Sequence, residues 1–409
     1  MIKYPYLFIV NLIEFILPMA LFFAKNKKVI AFIKGRQLVI PKLQKHTNRY
    51  WFHCASLGEF EQAKPLIEAL KRSELKASIV ISFFSPSGYE QQKDYKLADL
   101  VIYLPLDTPK NAKKIIELLQ PNVVVFIKYE IWYFLLKALF NKKIPVYLIS
   151  ATFRPNQFIF SIWGRWLFNL LPQYSNIFIQ DITSYNLLKS KELNNILLTG
   201  DTRFDRVLEN SKNVIMNDII EKFKINKFLI ILGSSWEIEE DLIFNYLLLK
   251  KRIDFKVLIA PHNAGELNIQ SILKKFEGFK AQQYTKFDES KETNILILDT
   301  IGHLASAYYY GNLAFIGGGF TGALHNILEP LSFGLLVITG QNLSKFPEAT
   351  LAEKEGVLSV VSSLNFNQQI DRFLALDIKN QKLLNNQAKD FILKNTGATG
   401  KVADIIKIS

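Results

Sequence analysis

Short apolar runs, rich in β-branched and aromatic residues, alternate with stretches of helical spacing along most of this chain. In the first half, the apolar runs are YWFHCAS, ASIVISFF, LVIYLP, NVVVFIK, IPVYLIS and NIFIQ. The alternation pauses at the polar stretch LENSKNVIMNDIIEK and restarts with KFLIILGSS, FKVLIAPH, NILILD, LAFIGGG and LLVITG. Such alternation indicates βαβ units, in which helices cover both faces of a parallel sheet. The pattern therefore predicts an α/β chain with two doubly wound, Rossmann-like domains.

The length of the chain also favours two domains, because 409 residues exceed what one ordinary core supports. We place the first domain at residues 25–205 and the second at residues 206–377. Residues 378–409 have helical spacing, and we expect them to pack back across the domains. Two such domains facing each other form a cleft, the usual site of a reaction between two substrates.

The N-terminal residues combine an apolar stretch with a basic one. Residues 6–23 read YLFIVNLIEFILPMALFF, and the segment from Lys25 to Arg49 holds eight Lys or Arg and no acidic residue. The apolar stretch is near the lower limit for spanning a bilayer, and it contains three residues that a lipid-exposed helix centre disfavours, Asn11, Glu14 and Pro18. Residues 1–24 are therefore predicted to form a membrane-associated helix that either spans the bilayer or lies on it. Packing on its own domain is the alternative.

A basic flank next to such a helix stays on the cytoplasmic side and meets anionic headgroups. We therefore expect the body of the protein at the cytoplasmic face of the inner membrane. A cleaved signal peptide is disfavoured, because no good small-x-small cleavage site follows the apolar stretch.

A formal net charge of +13 implies an anionic partner, which is nucleic acid, anionic lipid or a phosphorylated substrate. Nucleic acid is disfavoured, because the Trp and Tyr residues fall in apolar elements rather than in a basic stripe. The single cysteine, Cys54, excludes an internal disulfide, and no His or carboxylate cluster has metal-ligand spacing, so no metal cofactor is expected. The motifs of NAD-binding proteins, P-loop NTPases and Ser hydrolases are absent from the sequence.

Candidate binding residues lie where ligands meet doubly wound sheets, just after the strands. In GGGFTGALHNILEP, residues 317–330, the glycines Gly318 and Gly319 would let backbone N–H groups approach a phosphate, and Asn326 and Glu329 would share one helix face. As an alternative, the glycines serve tight packing and Glu329 favours the helix dipole. In LGSSW, Ser234 and Ser235 either cap a helix or contact a ligand. The loop DTIGHL, residues 299–304, could likewise either cap a helix or contact a ligand.

Candidate chemistry in the first half comes from three charged residues. Glu59 follows a glycine at a helix start, where it could remove a proton from an acceptor hydroxyl or simply favour the helix dipole. Glu130 follows a buried strand and is surrounded by aromatic residues, which would raise its pKa unless a cation such as Lys128 pairs with it. Arg203 could bind a carboxylate or phosphate, or pair with a neighbouring aspartate.

The order of these motifs resembles that of the Kdo (3-deoxy-D-manno-octulosonic acid) transferases of lipopolysaccharide synthesis. The resemblance covers nearly the whole chain, from the N-terminal helix through SLGE, SPSG, YLPLD, YEIW, TGDTRFD, GSSWEIEE and DTIG to GGGFTGALHNILEP. It implies a GT-B glycosyltransferase that moves Kdo from CMP-Kdo onto a lipid A precursor, with inversion and without a metal. Two alternatives stay open: a GT-B enzyme with another nucleotide sugar and lipid acceptor, and a non-catalytic lipid- or nucleotide-binding relative.

The same resemblance implies roles for individual residues. Glu59 is the implied catalytic base, and Glu130 and Arg203 are the implied transition-state stabilisers. The implied contacts to CMP-Kdo come from three segments with the glycine backbone near the phosphate: Pro261 and His262; Ile301, Gly302 and His303; and Asn326, Ile327, Leu328 and Glu329.

The chain departs from the pattern of this family at four places. Relatives commonly have Ser-Thr-His where Ser234, Ser235 and Trp236 stand, and a Pro-Arg-His segment becomes Pro261, His262 and Asn263. His303 replaces a usual Glu, and Arg203 a usual Lys. The first two departures affect residues near the implied CMP-Kdo site and leave the implied catalytic carboxylates unchanged.

Overall fold

A computed structural model describes residues 3–37, 40–43, 45–46, 48–250 and 253–407. The chain divides into two compact units, of which one comprises Met1–Arg206 with Thr396–Ser409 and the other Val207–Asn395. The predicted helical segment 378–409 is thus shared between the units. Residues 1–2 and 408–409, at the outer ends of two predicted segments, lie outside the described residues.

The first unit contains a seven-stranded sheet in which every pairing is parallel. Its strands are β1 Arg49–Cys54, β2 Ser78–Phe83, β3 Leu100–Tyr103, β4 Val123–Ile127, β5 Val146–Ala151, β6 Asn176–Ile179 and β7 Ile196–Leu198, in the order β3-β2-β1-β4-β5-β6-β7. Alternate residues of β4 enter opposite cores, Val123 and Val125 on one face and Val124 and Phe126 on the other. A strand buried on both faces must be apolar throughout, which explains its sequence VVVFI.

Helices cover both faces of this sheet. They are α1 Lys3–Ala20, α2 Lys27–Gln37, α3 Leu57–Ser73, α4 Pro86–Gln92, α5 Pro109–Leu119, α6 Tyr133–Asn141, α7 Arg165–Phe168, α8 Ile182–Lys189 and α9 Thr202–Lys212. Asp107 is buried and accepts hydrogen bonds from the backbone N–H of Phe134 and of Leu135, at 3.0 and 2.8 Å. It therefore satisfies two N–H groups at the start of α6 that have no partner within the helix.

The N-terminal helix α1 packs on the first unit. The Tyr6 hydroxyl donates a hydrogen bond to Asp107 at 2.8 Å, and the Asn111 amide donates one to Glu14 at 2.6 Å. The ring of Tyr6 also contacts the rings of Phe134 and Trp166. Within the described residues, no helix combines the length and the apolar character that crossing a membrane requires.

The second unit repeats the architecture with seven further parallel strands. They are β8 Phe228–Ser235, β9 Phe255–Pro261, β10 Ala281–Gln283, β11 Ile295–Ile297, β12 Leu313–Ile316, β13 Leu336–Thr339 and β14 Leu358–Val360, in the order β10-β11-β9-β8-β12-β13-β14. Its helices are α10 Asp218–Lys224, α11 Glu237–Leu248, α12 Glu266–Lys275, α13 Leu304–Ala307, α14 Leu328–Phe333, α15 Pro347–Lys354, α16 Phe366–Leu374 and α17 Ile378–Lys394. The parallel α/β architecture predicted from the apolar runs is confirmed in both units.

The last helix, α18 Ala398–Ile406, belongs to the first unit. Its residues Val402, Ala403 and Ile406 are buried in the same core as α3. Asp205 accepts the N–H groups of Gly397 and Thr399 at its start, at 2.6 and 2.8 Å. A carboxylate at a helix N-terminus is favoured by the unpaired N–H groups and by the helix dipole.

One helix starts later than its spacing suggests. Asn326 was expected to lie on a helix with Glu329, but α14 begins only at Leu328. The Asn326 side chain accepts the N–H of Leu328 at 3.0 Å, which is a cap rather than a helical contact. Asparagine competes with the helix for backbone N–H groups, so the helix begins after it.

Candidate functional site

Glu59 lies in the first turn of α3, directly after β1, and is buried. Its Oε2 accepts hydrogen bonds from the backbone N–H and from the hydroxyl of Ser56, at 2.5 and 2.6 Å. No hydrogen bond from the described residues reaches Oε1. The carboxylate is therefore held in one orientation with one oxygen left for a substrate.

Glu130 follows β4 and is half-buried among aromatic side chains. Its Oε2 accepts a hydrogen bond from the indole N–H of Trp132 at 2.9 Å, and the Nε2 of His53 lies 3.8 Å from the same oxygen. His53 is fully buried, and its Nδ1 lies 2.9 Å from the hydroxyl of Ser82. The indole therefore takes the place that Lys128 was considered for, and His53 is a neighbour that the sequence did not reveal.

The two carboxylates act on the same neighbouring groups. Burial raises the pKa of the Cys54 thiol well above its usual value, and the charges of Glu59 and Glu130 raise it further. Burial also raises the pKa of Tyr129, again with contributions from both carboxylates, while Arg154 lowers it. The structure therefore brings Glu59 and Glu130 into one electrostatic environment at the carboxyl edge of the first sheet, a place where ligands bind in such folds.

Arg203, the third candidate of the first unit, is paired with Asp201. Its Nε and one terminal nitrogen lie 2.8 and 2.7 Å from the same carboxylate oxygen of Asp201. Gln180 donates to that oxygen as well, at 2.8 Å. Of the two arrangements that the sequence left open, the structure has the pair with Asp201, which orients the guanidinium at the end of β7.

In the second unit, the loop after β8 contacts the loop after β9. Ser234 has a left-handed backbone, with φ of 54°, and its hydroxyl lies 3.0 Å from Nδ1 of His262. The backbone N–H of His262 donates to the carbonyl of Ser235 at 2.8 Å. The indole of Trp236 stacks on the imidazole of His262, with ring centroids 4.3 Å apart and planes 17° apart. Two of the positions that depart from the family pattern are therefore in direct contact.

The side chain of Ser235 makes its hydrogen bond inside the protein. Its side chain is buried, and its hydroxyl donates a hydrogen bond to Glu240 at 2.9 Å. Burial raises the pKa of Glu240, and the bond from Ser235 partly opposes this shift. The hydroxyl of Ser234, rather than that of Ser235, therefore faces the neighbouring loop.

The glycines after β12 pack against backbone atoms of neighbouring loops. A Cβ atom added at Gly317 would lie 2.1 Å from the carbonyl oxygen of Ser234, and one at Gly319 would lie 2.2 Å from the hydroxyl of Thr339. Gly318 has φ of +84°, where side chains are rarely tolerated. The packing role considered for these glycines is therefore present in the structure.

Two N–H groups of this turn already have acceptors. Gly317 donates to the carbonyl of Gly233 at 2.9 Å, and Gly318 donates to Oε1 of Glu239 at 2.9 Å. The other oxygen of Glu239 accepts the N–H of Trp236 at 3.0 Å. An anion at the turn would have to compete with Glu239, a residue that sequence reasoning missed, although its place in the first turn of an acidic helix is visible in GSSWEIEE.

Asn326 and Glu329 contact each other, but they do not share one helix face as predicted, because Asn326 precedes α14. The Asn326 amide donates to Oε1 of Glu329 at 3.1 Å. Ile327 and Leu328, between them, are buried, so any contact that they make to a ligand has to come from their backbone. The charge of Glu329 also adds to the effect of burial in raising the pKa of Tyr308.

Ile301, Gly302 and His303 follow β11, and the last two border a separate cavity of the second unit. The side chain of Ile301 is 91% exposed, and Nδ1 of His303 lies 3.4 Å from the hydroxyl of Tyr284. Gly302 and His303 line a cavity of about 430 Å³ together with Asn217 and Tyr284. Asn217 and Tyr284 come from distant parts of the sequence, and no motif in the sequence marked them as candidate site residues. In the part of the chain that the structure describes, no group of three or more His, Cys, Asp or Glu side chains could hold a metal ion.

Comparison with known proteins gives consistent results. The model of a family described as 3-deoxy-D-manno-octulosonic-acid transferase (kdotransferase) matches residues 32–206. The chain is 27% identical to 3-deoxy-D-manno-octulosonic acid transferase of Haemophilus influenzae over 374 residues, which cover 87% of this chain and 86% of that protein. It is also 27% identical to the enzyme of the same name of Aquifex aeolicus, over 75% of this chain and 80% of that protein.

Among solved structures, the fold is similar to that of UDP-GlcNAc 2-epimerase from Neisseria meningitidis. The TM-score is 0.64 at 16% identity, over 87% of this chain and 98% of that one, which shows the fold alone. The two parallel sheets and the sequence relationships define the class: the protein is a glycosyltransferase with a GT-B-like fold. Residues 32–206 match the model of the 3-deoxy-D-manno-octulosonic acid (Kdo) transferase family, and most of the chain is similar to Kdo transferases.

Proposed function

We propose that this protein transfers Kdo from CMP-Kdo onto a lipid A precursor in lipopolysaccharide core biosynthesis, with inversion at the anomeric carbon. The observation that carries the proposal is the state of Glu59. It is buried in the first turn of α3, its Oε2 is fixed by Ser56, and no described residue bonds Oε1. A general base has to reach a substrate proton with a free and oriented oxygen, which is the arrangement found here.

In the proposed reaction, Oε1 of Glu59 takes the proton of an acceptor hydroxyl. The hydroxyl oxygen then forms a bond to the anomeric carbon of Kdo, and the bond from that carbon to the phosphate oxygen breaks with its electron pair on CMP. Positive charge develops on the sugar, and Glu130 stabilises it. Arg203, oriented by Asp201, neutralises the charge that accumulates on the departing phosphate. No metal cofactor takes part.

The donor is proposed to bind to the second unit. The segments Pro261–His262, Ile301–His303 and Asn326–Glu329 contribute, as do Ser234 and the turn at Gly318 and Gly319. Support comes from their common position after parallel strands, where loops can surround a nucleotide. Because Gly318 already donates to Glu239, we expect Ser234 and the stacked His262 to contact the donor more directly.

The acceptor is a membrane lipid, so the protein is proposed to work at the cytoplasmic face of the inner membrane. The apolar residues of α1 and the basic segment after it support contact with an anionic surface. Nucleic acid is not a proposed partner.

The test is an assay of purified protein with CMP-Kdo and a tetra-acylated lipid A precursor, followed by mass spectrometry of the lipid. The wild type should add one or more Kdo masses, and Glu59→Gln should lower the rate at least about a hundredfold, since general base catalysis contributes about 10²- to 10⁴-fold. Glu61→Gln, on the same helix, is the matched control and should keep the rate.

Three results would contradict the proposal. Equal rates for the wild type and Glu59→Gln would remove Glu59 as the base. Transfer from a UDP-sugar but not from CMP-Kdo would favour another nucleotide-sugar transferase, and no transfer from either donor by a folded wild type would favour a non-catalytic relative.

A further inference from the structure

Helix α1 exposes a continuous apolar stripe although it packs on the first unit. Tyr6 and Glu14 attach it to Asp107 and Asn111. On its outer side, Phe8, Leu12, Phe15, Ile16 and Met19 are all exposed. Their spacing of three and four residues places them on one face of the helix. This stripe is the feature on which the proposed membrane contact already rests.

A second exposed apolar group lies in the segment between β5 and β6. Ile162 is 81% exposed and Trp163 is 65% exposed, and Phe158 is more than half exposed. Other apolar residues of the same segment, such as Ile159 and Leu171, are buried in the core. Some apolar side chains of this segment are therefore buried and others are exposed. Core packing does not explain the exposed ones.

The exposed group is held in a fixed turn. The Ser161 hydroxyl donates to the carbonyl of Phe158 at 2.7 Å and accepts the N–H of Gly164 at 3.0 Å. A Cβ atom at Gly164 would lie 1.8 Å from the carbonyl oxygen of Phe158, so only glycine allows this close approach. The turn Phe158–Trp163 thus has a defined backbone conformation, from which its apolar side chains are exposed.

The turn and the helix are neighbours. Trp166, one helical turn after Trp163, contacts the ring of Tyr6 with centroids 5.4 Å apart, and it contacts Tyr133 with centroids 4.8 Å apart. Tyr6 in turn lies on α1. The partly buried ring of Trp166 therefore connects the base of the turn to the base of the helix.

Cations predominate around these two elements, although Glu14 lies on α1 itself. Residues 151–180 contain Arg154 and Arg165 and no acidic residue, and residues 25–49 contain eight cations and no acidic residue. Helix α5, which contacts α1 through Asn111, exposes Lys110, Lys113 and Lys114. Anionic headgroups complement this rim, whereas a second copy of this cationic chain would be repelled by it. Exposed Trp and Phe side chains are also typical of the membrane interface.

We propose that the turn Phe158–Trp163 is a second membrane-inserting element, which enters the same anionic lipid surface as α1. The inference rests on the membrane contact of the proposed function and extends it from one attachment point to two. Two points fix the orientation of the first unit on the membrane. The turn leaves the sheet at the carboxyl end of β5, the same edge at which Glu59 and Glu130 lie. Arg154, in the same segment, acts on Tyr129 beside both carboxylates. A lipid acceptor in that leaflet would reach the candidate site along this edge.

The experiment places a polarity-sensitive fluorophore on the turn through Ile162→Cys. Cys54 is fully buried, so the introduced thiol is the accessible one in the folded protein. Phe15→Cys reports on α1, and Leu364→Cys, at a 95% exposed position of the second unit, is the matched control. Each labelled protein is mixed with phosphatidylethanolamine vesicles that contain phosphatidylglycerol, and with vesicles of phosphatidylcholine alone.

The expected result is a blue shift of the emission at positions 162 and 15 with the anionic vesicles, a smaller one with phosphatidylcholine, and none at position 364. Ile162→Ser combined with Trp163→Ser should weaken binding to anionic vesicles about tenfold, with an unchanged circular dichroism spectrum. A shift at position 15 without one at position 162 overturns the inference and leaves membrane contact through α1 intact. If neither position shows a shift, both the insertion of the turn and the membrane contact of α1 are contradicted. A concentration-dependent shift without vesicles, with dimers in sedimentation equilibrium, assigns the surface to a second copy of the chain and also overturns the inference.

Discussion

Glu239 accepts the backbone N–H of Gly318 at 2.9 Å and thereby joins the start of α11 to the glycine turn after β12. The other carboxylate oxygen accepts the N–H of Trp236 at 3.0 Å. Glu239 is fully buried, and its burial raises its pKa, while the two N–H bonds oppose that shift. One side chain therefore holds together two of the loops that are proposed to surround the donor.

Removal of this carboxylate should destabilise the protein. Glu239→Ala leaves the buried N–H of Gly318 and the partly buried N–H of Trp236 without this acceptor, and a fully buried group costs about 1–3 kcal/mol. We expect the free energy of unfolding in urea to fall by about 2–4 kcal/mol in total. Glu237→Ala, at the exposed first position of the same helix, should change it by less than about 0.5 kcal/mol. Similar losses for both variants would show that the bridge contributes nothing specific.

The raised pKa of Glu240 predicts how stability depends on pH. Because the folded state holds the proton more tightly than the unfolded state, ionisation of Glu240 costs stability. The cost is absent below the ordinary Glu pKa of about 4.3 and complete above the raised value. Glu240→Gln keeps a carbonyl oxygen for Ser235 and removes the cost. Urea unfolding at pH 4, 5, 6 and 7 should therefore favour the variant, relative to the wild type, increasingly as the pH rises. A trend in the opposite direction would contradict the assignment.

Cys54 should be unreactive in the folded protein. Burial and the nearby carboxylates Glu59 and Glu130 raise the pKa of its thiol, so the reactive thiolate is scarce at pH 8, and the side chain is fully buried. A thiol reagent such as Ellman's reagent should modify it only after unfolding in denaturant. Fast modification of the native protein would mean that the carboxyl end of β1 opens to solvent.

The hydroxyl of Ser56 should matter for turnover if it orients Glu59. Ser56→Ala removes the 2.6 Å bond to Oε2 and keeps the backbone bond to the same oxygen. We expect kcat to fall about tenfold, the effect of roughly 1.4 kcal/mol, with little change in KM for the acceptor. Ser56→Thr retains a hydroxyl and should restore most of the rate. If Ser56→Ala and Ser56→Thr lowered kcat equally, the hydroxyl would have no positioning role.

The sequence was sufficient for features that depend on local pattern. The apolar runs predicted both parallel sheets, since a strand buried on both faces has to be apolar throughout. The place of Glu59 at a helix start was also visible, because SLGE follows a strand and precedes an amphipathic run. These features involve neighbours along the chain, so spacing alone reveals them.

Contacts between distant segments could not be predicted from the sequence. Glu239 and Gly318 are 79 residues apart, and they meet because β8 and β12 are adjacent strands. Periodicity does not give strand order, so the acceptor of the Gly318 N–H could not be identified in advance. The same limit applies to His53 beside Glu130, where β1 and β4 are adjacent. For Arg203 the partner was among the choices considered, and only the folded geometry selected Asp201.

The stacked pair of Trp236 and His262 offers a test of how this chain compensates for its departures from the family. The two rings come from the loops after β8 and β9 and lie nearly parallel, with centroids 4.3 Å apart. If the pair contacts the donor as a unit, Trp236→Leu and His262→Ala should each raise KM for CMP-Kdo about tenfold with little change in kcat. The double variant should then be no worse than the more severe single variant, because residues that act together are not additive. Ile238→Ala, an exposed residue on the helix that follows Trp236, is the control and should leave KM unchanged. Additive effects of the two substitutions on KM would show that each ring acts alone. An unchanged KM in both variants would show that the donor does not contact this pair.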